Sequence, residues 1–485
     1  MTGPVPDPGG PRLDAVLAAA ARRTPTRIAL VDETCRLTYR KLLVEAEAVA
    51  RCLERAQLQP HEPVVVPVSN RAMDLVAYLG VWLARGVVVP LHRGSSDATA
   101  DDIVARTGAR FVVNAAPDLP VPRRLAGSGL LLALERPLPP PRAMLADAAL
   151  VVFTSGSTGE PKGVVHGHGA FAAKLDMIDG MLGFAETDTT LLVLQLTFIF
   201  AQWVALLTLL KGGTVVLHER FRAERVAEAL GQGVTRVALV PTMIRALRPL
   251  VEGVRCPVFA GAVMAGGEPL PAELGAWLRS AWPTARLSDL YGTTETCACD
   301  FFVQADDYDA GAGSIGRPGP GIGFRIAQED AELQIRSPFA MRGYLDAPEL
   351  TRSAFADGYF RTGDQARIRA DGRVELIGRL KELVNRGGVK ISPLEVERAF
   401  AQHPDIAAVL AAGIPDAQTG ESLVLAIVPR AGAAIDTAEV LRWAASRLER
   451  SKLPGRIIVA DELPTGRTGK ADRAALRELA MRERE

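Results

Sequence analysis

A loop rich in glycine and hydroxyl residues is the stretch of this 485-residue chain whose composition points most directly to chemistry. It follows an apolar run, Ala149 to Phe153, which we expect to form a buried strand, and it precedes a helix-compatible segment, Ala170 to Leu182. Small residues let backbone N–H groups approach phosphate oxygens, hydroxyls donate further hydrogen bonds, and a lysine supplies positive charge. The candidate phosphate-binding residues are Thr154, Ser155, Gly156, Ser157, Thr158, Gly159 and Lys162.

The loop departs from the Walker sequence, because Lys162 follows Glu160 and Pro161 and not a glycine. A solvated Gly/Ser linker is the alternative interpretation. The strand before the loop, the embedded lysine and the stiff proline favour phosphate binding over a linker. A strand, such a loop and then a helix is an arrangement with which α/β enzymes hold a polyphosphate, so we expect the loop to lead into a helix.

A second candidate site is the heptapeptide from Asp289 to Glu295, at the end of a predicted strand, where α/β sheets place ligands. A tyrosine face can stack on adenine, a hydroxyl can reach a phosphate, and a carboxylate can hold Mg²⁺ between phosphate oxygens. Taken alone, the heptapeptide is better explained as a buried tyrosine with a capping threonine and glutamate.

The later motifs change that interpretation, because together with the loop they resemble the adenylate-forming superfamily in the expected order over nearly the whole chain. This superfamily comprises acyl- and aryl-CoA synthetases, peptide-synthetase adenylation domains and firefly luciferase. The segments that carry the resemblance, besides the loop, are Gly266 to Pro271, Asp289 to Glu295, Tyr359 to Asp364, Gly378 to Val384, Gly387 to Pro393 and Leu463 to Arg473.

The resemblance implies three catalytic residues. Thr294 would contact the α-phosphate of ATP, and Glu295 would bind Mg²⁺. Lys470 lies between glycines in a C-terminal loop and matches the catalytic lysine of the family. A carboxylate that attacks the α-phosphorus brings two anions together, so a bridging cation is a physical requirement. Without the resemblance, Lys470 would be interpreted as a solvated surface charge.

The resemblance also assigns residues to the nucleotide. Asp289 and Tyr291 would recognise adenine, with the Gly266-Gly267-Glu268 turn opposite them. Asp364 would accept hydrogen bonds from the ribose hydroxyls, with Arg379 nearby, although a lone carboxylate after glycine is usually a turn residue. The remaining residues expected to bind cofactor are Gly292 and Lys390.

The fold class implied by the chain is α/β. Strands and helices alternate in the N-terminal part, which predicts mostly parallel sheets with flanking helices. From about Gly313, short strands and turns indicate a β-rich lobe. By resemblance, residues 1–380 form a large ATP- and carboxylate-binding domain, and residues 381–485 form a small mobile α+β domain that carries the catalytic lysine. Lys381 would be the hinge.

Within the small domain, the resemblance makes the loop at Gly387 and Gly388 the lining of a tunnel for a phosphopantetheine thiol; the alternative is a simple hairpin turn. The acceptor thiol would be that of coenzyme A, because about fifteen residues follow Lys470, too few for a carrier-protein domain.

The substrate pocket is predicted from a departure from the family pattern. Amino-acid-activating members carry an aspartate after the phenylalanine that matches Phe198, and this chain has Ile199 there. A substrate ammonium beside Ile199 would be buried without a partner, at a cost of several kcal/mol. Phe198, Ile199, Phe200, Trp203 and Thr293 therefore favour an apolar or aryl carboxylate, although a helix of core residues would look the same.

Composition limits the other classes of function. Lys+Arg and Asp+Glu both number 56, a balance that argues against a nucleic-acid partner. Five scattered cysteines suggest a reducing cytoplasm, and no zinc set completes Cys297 and Cys299. The uncharged run Leu191 to Leu210 is about long enough to cross a bilayer. Its two glutamines, Gln195 and Gln202, and the glycine stop after it indicate a buried strand and helix instead.

The predicted reaction is ATP-dependent formation of an acyl-adenylate with release of pyrophosphate, followed by transfer to a thiol. The expected cofactors are ATP, Mg²⁺ and coenzyme A or the phosphopantetheine of a carrier protein. Rival interpretations are a freestanding enzyme that loads a separate acyl carrier protein, a ligase with a non-thiol acceptor, and a silent nucleotide-binding regulator. The presence of Lys470 argues against the regulator, since binding alone does not need it.

Overall fold

The computed structural model describes residues 9–115, 118–125, 130–155, 161–253, 255–465 and 471–482. Its first half contains α1 (Leu13–Arg23), β1 (Ile28–Val31), β2 (Arg36–Thr38), α2 (Tyr39–Arg55), β3 (Pro63–Val68), α3 (Ala72–Leu83), β4 (Val87–His92), α4 (Asp97–Thr107), β5 (Phe111–Val113), β6 (Leu131–Ala133), β7 (Ala148–Ser155), β8 (Pro161–Gly167), α5 (His168–Leu182), β9 (Thr189–Leu192), α6 (Ile199–Lys211), β10 (Thr214–Leu217), α7 (Ala223–Leu230), β11 (Arg236–Leu239) and α8 (Pro241–Glu252).

The second half contains β12 (Ala262–Gly266), α9 (Ala272–Ala281), β13 (Arg286–Thr293), β14 (Ala298–Val303), α10 (Tyr308–Gly311), β15 (Arg317–Pro318), β16 (Gly323–Ile326), β17 (Glu332–Arg336), β18 (Gly343–Tyr344), α11 (Pro348–Ser353), β19 (Phe355–Ala356), β20 (Tyr359–Ile368), β21 (Val374–Arg379), β22 (Val384–Arg386), β23 (Val389–Ile391), α12 (Pro393–Ala401), β24 (Ile406–Asp416), β25 (Gly420–Pro429), α13 (Thr437–Ala445), β26 (Arg456–Val459) and α14 (Arg473–Arg482).

Two large sheets build the N-terminal domain. One has seven strands in the order β18-β8-β7-β4-β3-β5-β6, and the other has nine in the order β15-β14-β13-β12-β11-β9-β10-β1-β2. Their central strands are parallel and their outer strands antiparallel. Helices such as α3 and α6, nearly every residue of which is buried, cover these sheets. The predicted α/β class with mostly parallel sheets is confirmed.

A β-rich lobe and a smaller C-terminal domain follow. In the lobe, β16, β17, β20 and β19 form a sheet in that order, and β21 pairs with β20. In the C-terminal domain the sheet order is β23-β22-β25-β24, with β26 beside β25, and α12, α13 and α14 accompany it. This sheet has its own buried cores, one centred on Val396 and Phe400, the other on Leu476.

The uncharged run from Leu191 to Leu210 contains the last two residues of β9 and all of α6 except its last residue, and the left-handed Gly212 ends that helix. This is the predicted strand and helix of a buried core. Among the described residues, no helix is both long enough and apolar enough to cross a membrane.

Candidate active site

An open cleft of about 1420 Å³ lies where the carboxyl ends of the parallel strands, the β-rich lobe and the C-terminal domain meet. Ligands of α/β sheets bind at such strand ends. Within the described part of the chain, the predicted residues that line the cleft are Thr154, Lys162, Phe198, Gly267, Glu268, Asp289, Tyr291, Gly292, Thr293, Thr294, Glu295, Asp364, Arg379 and Lys381.

The glycine- and hydroxyl-rich loop joins two antiparallel strands, β7 and β8. The helix predicted at Ala170 to Leu182 is present as α5, but a strand that was not predicted, β8, lies between the loop and this helix. The phosphate-binding candidates therefore belong to a hairpin and not to a helix N-terminus. Thr154 and Lys162 face each other in its register. Gly156, Ser157, Thr158, Gly159 and the side chain of Ser155 lie outside the described residues.

The end of β13 meets the β-rich lobe through a carboxylate shared by two donors. The hydroxyl of Tyr291 donates to Oδ2 of Asp364 at 2.7 Å, and Nε of Arg379 donates to Oδ1 at 2.6 Å. Asp364 and Arg379 are directly paired across β20 and β21. The predicted adenine and ribose residues are thus joined in one hydrogen-bonded group.

A close backbone approach explains the glycine at the start of the Gly266-Gly267-Glu268 turn. A Cβ at Gly266 would lie 2.8 Å from the carbonyl oxygen of Leu290, the neighbouring residue on β13. The Glu268 carboxylate accepts hydrogen bonds from the Thr242 hydroxyl and from the N–H of Ala471, each at 3.0 Å. Ala471 belongs to the C-terminal domain and follows Lys470, which lies outside the described residues.

Burial raises the pKa of Asp289 to about 8, so this carboxyl is protonated at neutral pH. Between the pKa of the unfolded chain and the higher pKa of the folded chain, the carboxyl keeps its proton when folded and releases it when unfolded. The free energy of unfolding therefore falls as the pH rises through this range. We expect the unfolding free energy of the wild type to fall, relative to Asp289→Asn, by about 1.4 kcal/mol per pH unit from about pH 5 to about pH 7. Urea unfolding of both proteins across this range measures the difference, and parallel curves would contradict it.

Glu295 is held by a segment that the sequence analysis did not single out. The backbone N–H of Met341 donates to the carbonyl oxygen of Glu295 at 2.7 Å, and the Tyr344 hydroxyl donates to its Oε1 at 2.9 Å. Lys162 places its Nζ 5.4 Å from the centre of the Tyr344 ring. Burial, together with the charges of Lys162 and Arg379, lowers the pKa of Lys381, while Glu295 acts in the opposite direction. Glu295 and three cations therefore share one corner of the cleft.

A buried ion pair beneath the turn that follows β13 was also missed. Nζ of Lys174 lies 2.8 Å from Oδ1 of Asp300, and both side chains are fully buried. The Thr296 hydroxyl donates to the other oxygen of Asp300, and Thr296 in turn bonds to Thr293. Removing one member of such a pair leaves an uncompensated buried charge. The pair fixes the turn that carries Thr293, Thr294 and Glu295.

Only part of the predicted substrate pocket faces the cleft. Phe198 lines it and is 40% exposed. Ile199 is buried, and Phe200 stacks on the fully buried Trp203 with ring centroids 5.5 Å apart. Phe200 nevertheless supports the wall, since a Cβ at Gly266 would lie 3.2 Å from its ring.

The predicted thiol-tunnel loop is the turn of the β22–β23 hairpin. Gly387 and Gly388 have φ angles of +57° and +88°, which suit glycine in such a turn. Together with Lys390 they are exposed and do not line the cleft among the described residues. The hinge candidate Lys381 does line it. In the orientation described, the C-terminal domain therefore presents Ala471, and not the hairpin, to the cleft.

Comparison with known proteins agrees with this arrangement. The sequence profile described as AMP-binding enzyme matches residues 17–345, and that described as AMP-binding enzyme C-terminal domain matches residues 395–470. A feruloyl-CoA synthase from an Amycolatopsis species is 30% identical over 469 residues, with 93% of this chain and 95% of the relative covered. A 2-succinylbenzoate–CoA ligase from Bacillus licheniformis is 29% identical over 483 residues, with 95% and 98% covered.

Among solved structures, o-succinylbenzoate CoA synthetase from Bacillus subtilis, in complex with its acyl-adenylate intermediate, matches with a TM-score of 0.79 and 25% identity. The match covers 95% of this chain and 97% of that one. The resemblance to adenylate-forming enzymes and the predicted activity are therefore confirmed. The chain belongs to the AMP-binding enzyme family and is an AMP-forming acid–CoA ligase.

Proposed function

We propose that this ligase activates a medium-sized apolar or aryl carboxylic acid and transfers the acyl group to coenzyme A. One observation carries the proposal: the cleft brings together Lys162, the Tyr291–Asp364 group, Glu295 and the segment that begins at Ala471. Lys162 supplies positive charge, the Tyr291–Asp364 group supplies polar atoms for a nucleoside, and Glu295 supplies a carboxylate. Phe198 lines the same cleft. The relatives that use ferulate and succinylbenzoate support an aryl acid as substrate.

In the first step, a carboxylate oxygen bonds to the α-phosphorus of ATP, and the bond from that phosphorus to the β-phosphate oxygen breaks to release pyrophosphate. No general base is needed, since the nucleophile is ionised at neutral pH. Both reactants are anions, so cations must offset the developing charge. We assign Lys162 to the departing phosphates and Thr294 to the α-phosphate, and Lys470, by its match to the family's catalytic lysine, to the bridge between the α-phosphate and the carboxylate.

Glu295 has the features of a magnesium ligand. Tyr344 occupies one of its oxygens, and no described residue donates a hydrogen bond to Oε2. Mg²⁺ is commonly bound by one or two carboxylates together with substrate phosphates, so a single free carboxylate oxygen fits. When bound there, the ion would neutralise phosphate charge as a Lewis acid. Glu295 itself would fix the position at which the phosphates are held.

We assign the nucleoside to the part of the cleft lined by Asp289, Tyr291 and Asp364. The Tyr291 face and the neutral Asp289 carboxyl recognise adenine opposite the Gly266-Gly267-Glu268 turn. The Asp364 carboxylate accepts three hydrogen bonds from Tyr291 and Arg379 and has capacity left for ribose hydroxyls.

The second step requires a change of orientation, since the thiol must reach the acyl carbon. The thiol loses its proton to solvent, its sulfur bonds to the acyl carbon, and the bond from that carbon to the phosphate oxygen of AMP breaks, so that AMP leaves. We place the domain boundary between residues 380 and 381, with Lys381 as the pivot. The Ser392 hydroxyl donates to the Ile377 carbonyl at 2.7 Å, and Arg398 pairs with Glu375 at 2.8 Å. These contacts hold the C-terminal domain in the described orientation and must break before the hairpin at Gly388 can approach.

The substrate class is tested by ATP–pyrophosphate exchange with a panel of acids. The most informative pair is 3-phenylpropanoate and L-phenylalanine, which differ only in the amino group. We expect exchange with the acid and very little with the amino acid, because the position that carries an aspartate in amino-acid-activating members holds the buried Ile199, which supplies no anion for an ammonium. Exchange with several amino acids and none with simple acids would overturn the proposed substrate class.

The acceptor is tested with the best acid of that panel. Coenzyme A should yield the thioester with AMP. Transfer only to the phosphopantetheine of an added carrier protein would replace coenzyme A in the proposal, and transfer to hydroxylamine but to no thiol would point to a non-thiol ligase.

A further inference from the structure

The segment from Met341 to Leu345 contacts both the strand that carries Lys162 and the backbone of Glu295. Gly343 and Tyr344 pair with Val165 and Val164 of β8, the strand that carries Lys162. At its start the same segment binds the Glu295 carbonyl through the Met341 N–H. Since β8 belongs to the seven-stranded sheet and Glu295 follows β13 of the nine-stranded sheet, this segment connects the two sheets at the cleft.

Tyr344 is the residue of this segment whose side chain contacts the candidate catalytic residue Glu295. Tyr344 is 5% exposed and belongs to one buried apolar cluster with Val164, Met341, Phe355 and Phe360, which restricts the position of its side chain. The backbone N–H of Tyr344 donates to the Thr351 hydroxyl at 2.9 Å, which fixes the main chain as well. From this rigid base the phenol donates to Oε1 of Glu295.

The ring face of Tyr344 has a second contact. Nζ of Lys162 lies 5.4 Å from the ring centre, within the range at which an ammonium is attracted to an aromatic face. One side chain therefore contacts the candidate metal-binding carboxylate with its hydroxyl and the candidate phosphate-binding lysine with its ring.

We propose that Tyr344 is a positioning residue for adenylate formation, which orients Glu295 through its hydroxyl and Lys162 through its ring. The proposal rests on the proposed role of Glu295 as the magnesium ligand. Because the phenol occupies Oε1, the carboxylate turns Oε2 towards the phosphates. Hydrogen-bonded partners of this kind orient metal-binding carboxylates, and their loss commonly weakens metal affinity about 10- to 100-fold.

The two contacts can be removed separately. Tyr344→Phe deletes the hydroxyl and leaves the ring in its apolar cluster, so only the orientation of Glu295 should be lost. Tyr344→Met fills a similar apolar space with a flexible side chain and removes the aromatic face as well. Tyr359→Phe is the matched control, since it deletes the same oxygen from a tyrosine of β20 whose ring lies against Arg325.

Metal affinity is measured without turnover, by electron paramagnetic resonance titration of Mn²⁺ into enzyme saturated with a non-hydrolysable ATP analogue. Tyr344→Phe should weaken Mn²⁺ binding about tenfold or more. Binding of the analogue in the absence of metal should stay at the wild-type level in Tyr344→Phe and fall in Tyr344→Met. Tyr359→Phe should match the wild type in both titrations.

The variant pair Tyr344→Phe and Glu295→Gln separates this proposal from the role of Glu295. If Tyr344 acts through Glu295, the double variant should bind Mn²⁺ no more weakly than Glu295→Gln alone. Additive losses, or a Tyr344→Phe enzyme with wild-type Mn²⁺ affinity beside an impaired Glu295→Gln enzyme, would overturn the role of Tyr344. Wild-type Mn²⁺ affinity in Glu295→Gln would instead remove the proposed metal ligand, and the proposal for Tyr344 with it.

Discussion

Replacing Lys470 with alanine should slow adenylate formation about a hundred- to a thousandfold, the loss typical of removing one preorganised group from a charged transition state. The reason is electrostatic: with Lys470 absent, the attacking carboxylate and the α-phosphate repel each other without a bridging cation. The position of its neighbour supports the assignment, since the N–H of Ala471 bonds to Glu268 at the wall of the cleft.

The Lys470→Ala enzyme is measured by single-turnover pyrophosphate release and, separately, by conversion of a supplied acyl-adenylate to thioester. The second reaction should proceed near the wild-type rate, because the bond to phosphorus is already made. Lys452→Ala is the matched control, a lysine of the same domain that pairs with Glu395 on the surface. Equal loss in both half-reactions would argue for a single fixed active site.

A complementary variant should block the thiol step. Any side chain at Gly388 would strain its φ angle of +88°, so the adjacent Val389, which is exposed on β23, is the better position. Val389→Trp should leave pyrophosphate release intact and slow thioester formation, if the hairpin approaches the cleft when the domain turns.

Glu295→Gln should reduce adenylate formation about a hundredfold or more, because the neutral amide is a poor ligand for Mg²⁺. The substitution keeps the size of the side chain and leaves an oxygen for the Tyr344 hydroxyl, so folding should change little. Initial rates over a range of Mg²⁺ concentrations, with melting temperatures, measure both effects.

The matched control for this variant is Glu349→Gln, which neutralises a carboxylate exposed on α11. Near-normal adenylation by Glu295→Gln at low Mg²⁺ would remove Glu295 from the phosphate site.

Much of the fold could be predicted from local sequence patterns. The helix-compatible segment Ala170 to Leu182 lies within α5 and ends at the same residue, because the left-handed Gly183 stops the helix there. The loop after β7 was less predictable. Pro161 to Gly167 contains two valines between glycines, and its place as an antiparallel strand depends on pairing with β7 and β18, which no local pattern encodes.

Some residues of the candidate site could likewise be predicted from the sequence, and others could not. Asp289, Tyr291 and Asp364 belong to contiguous motifs, so the resemblance to the family was enough to name them, and all three line the cleft. Tyr344 and the Lys174–Asp300 pair were missed because their partners lie 49 and 126 residues away. A tyrosine after Gly343 and a lysine within an apolar helix carry no signal until the two sheets are assembled.

A single-turnover experiment on the wild-type enzyme, with ATP labelled at the α-phosphate, tests adenylate chemistry most directly. With a substrate acid, Mg²⁺ and no coenzyme A, about one equivalent of acyl-adenylate should form on each active site, with matching release of pyrophosphate. Adding coenzyme A should then convert the bound label to AMP as the thioester appears. Labelled ADP, or no cleavage of ATP until coenzyme A is added, would contradict a mechanism in which the acyl-adenylate forms first.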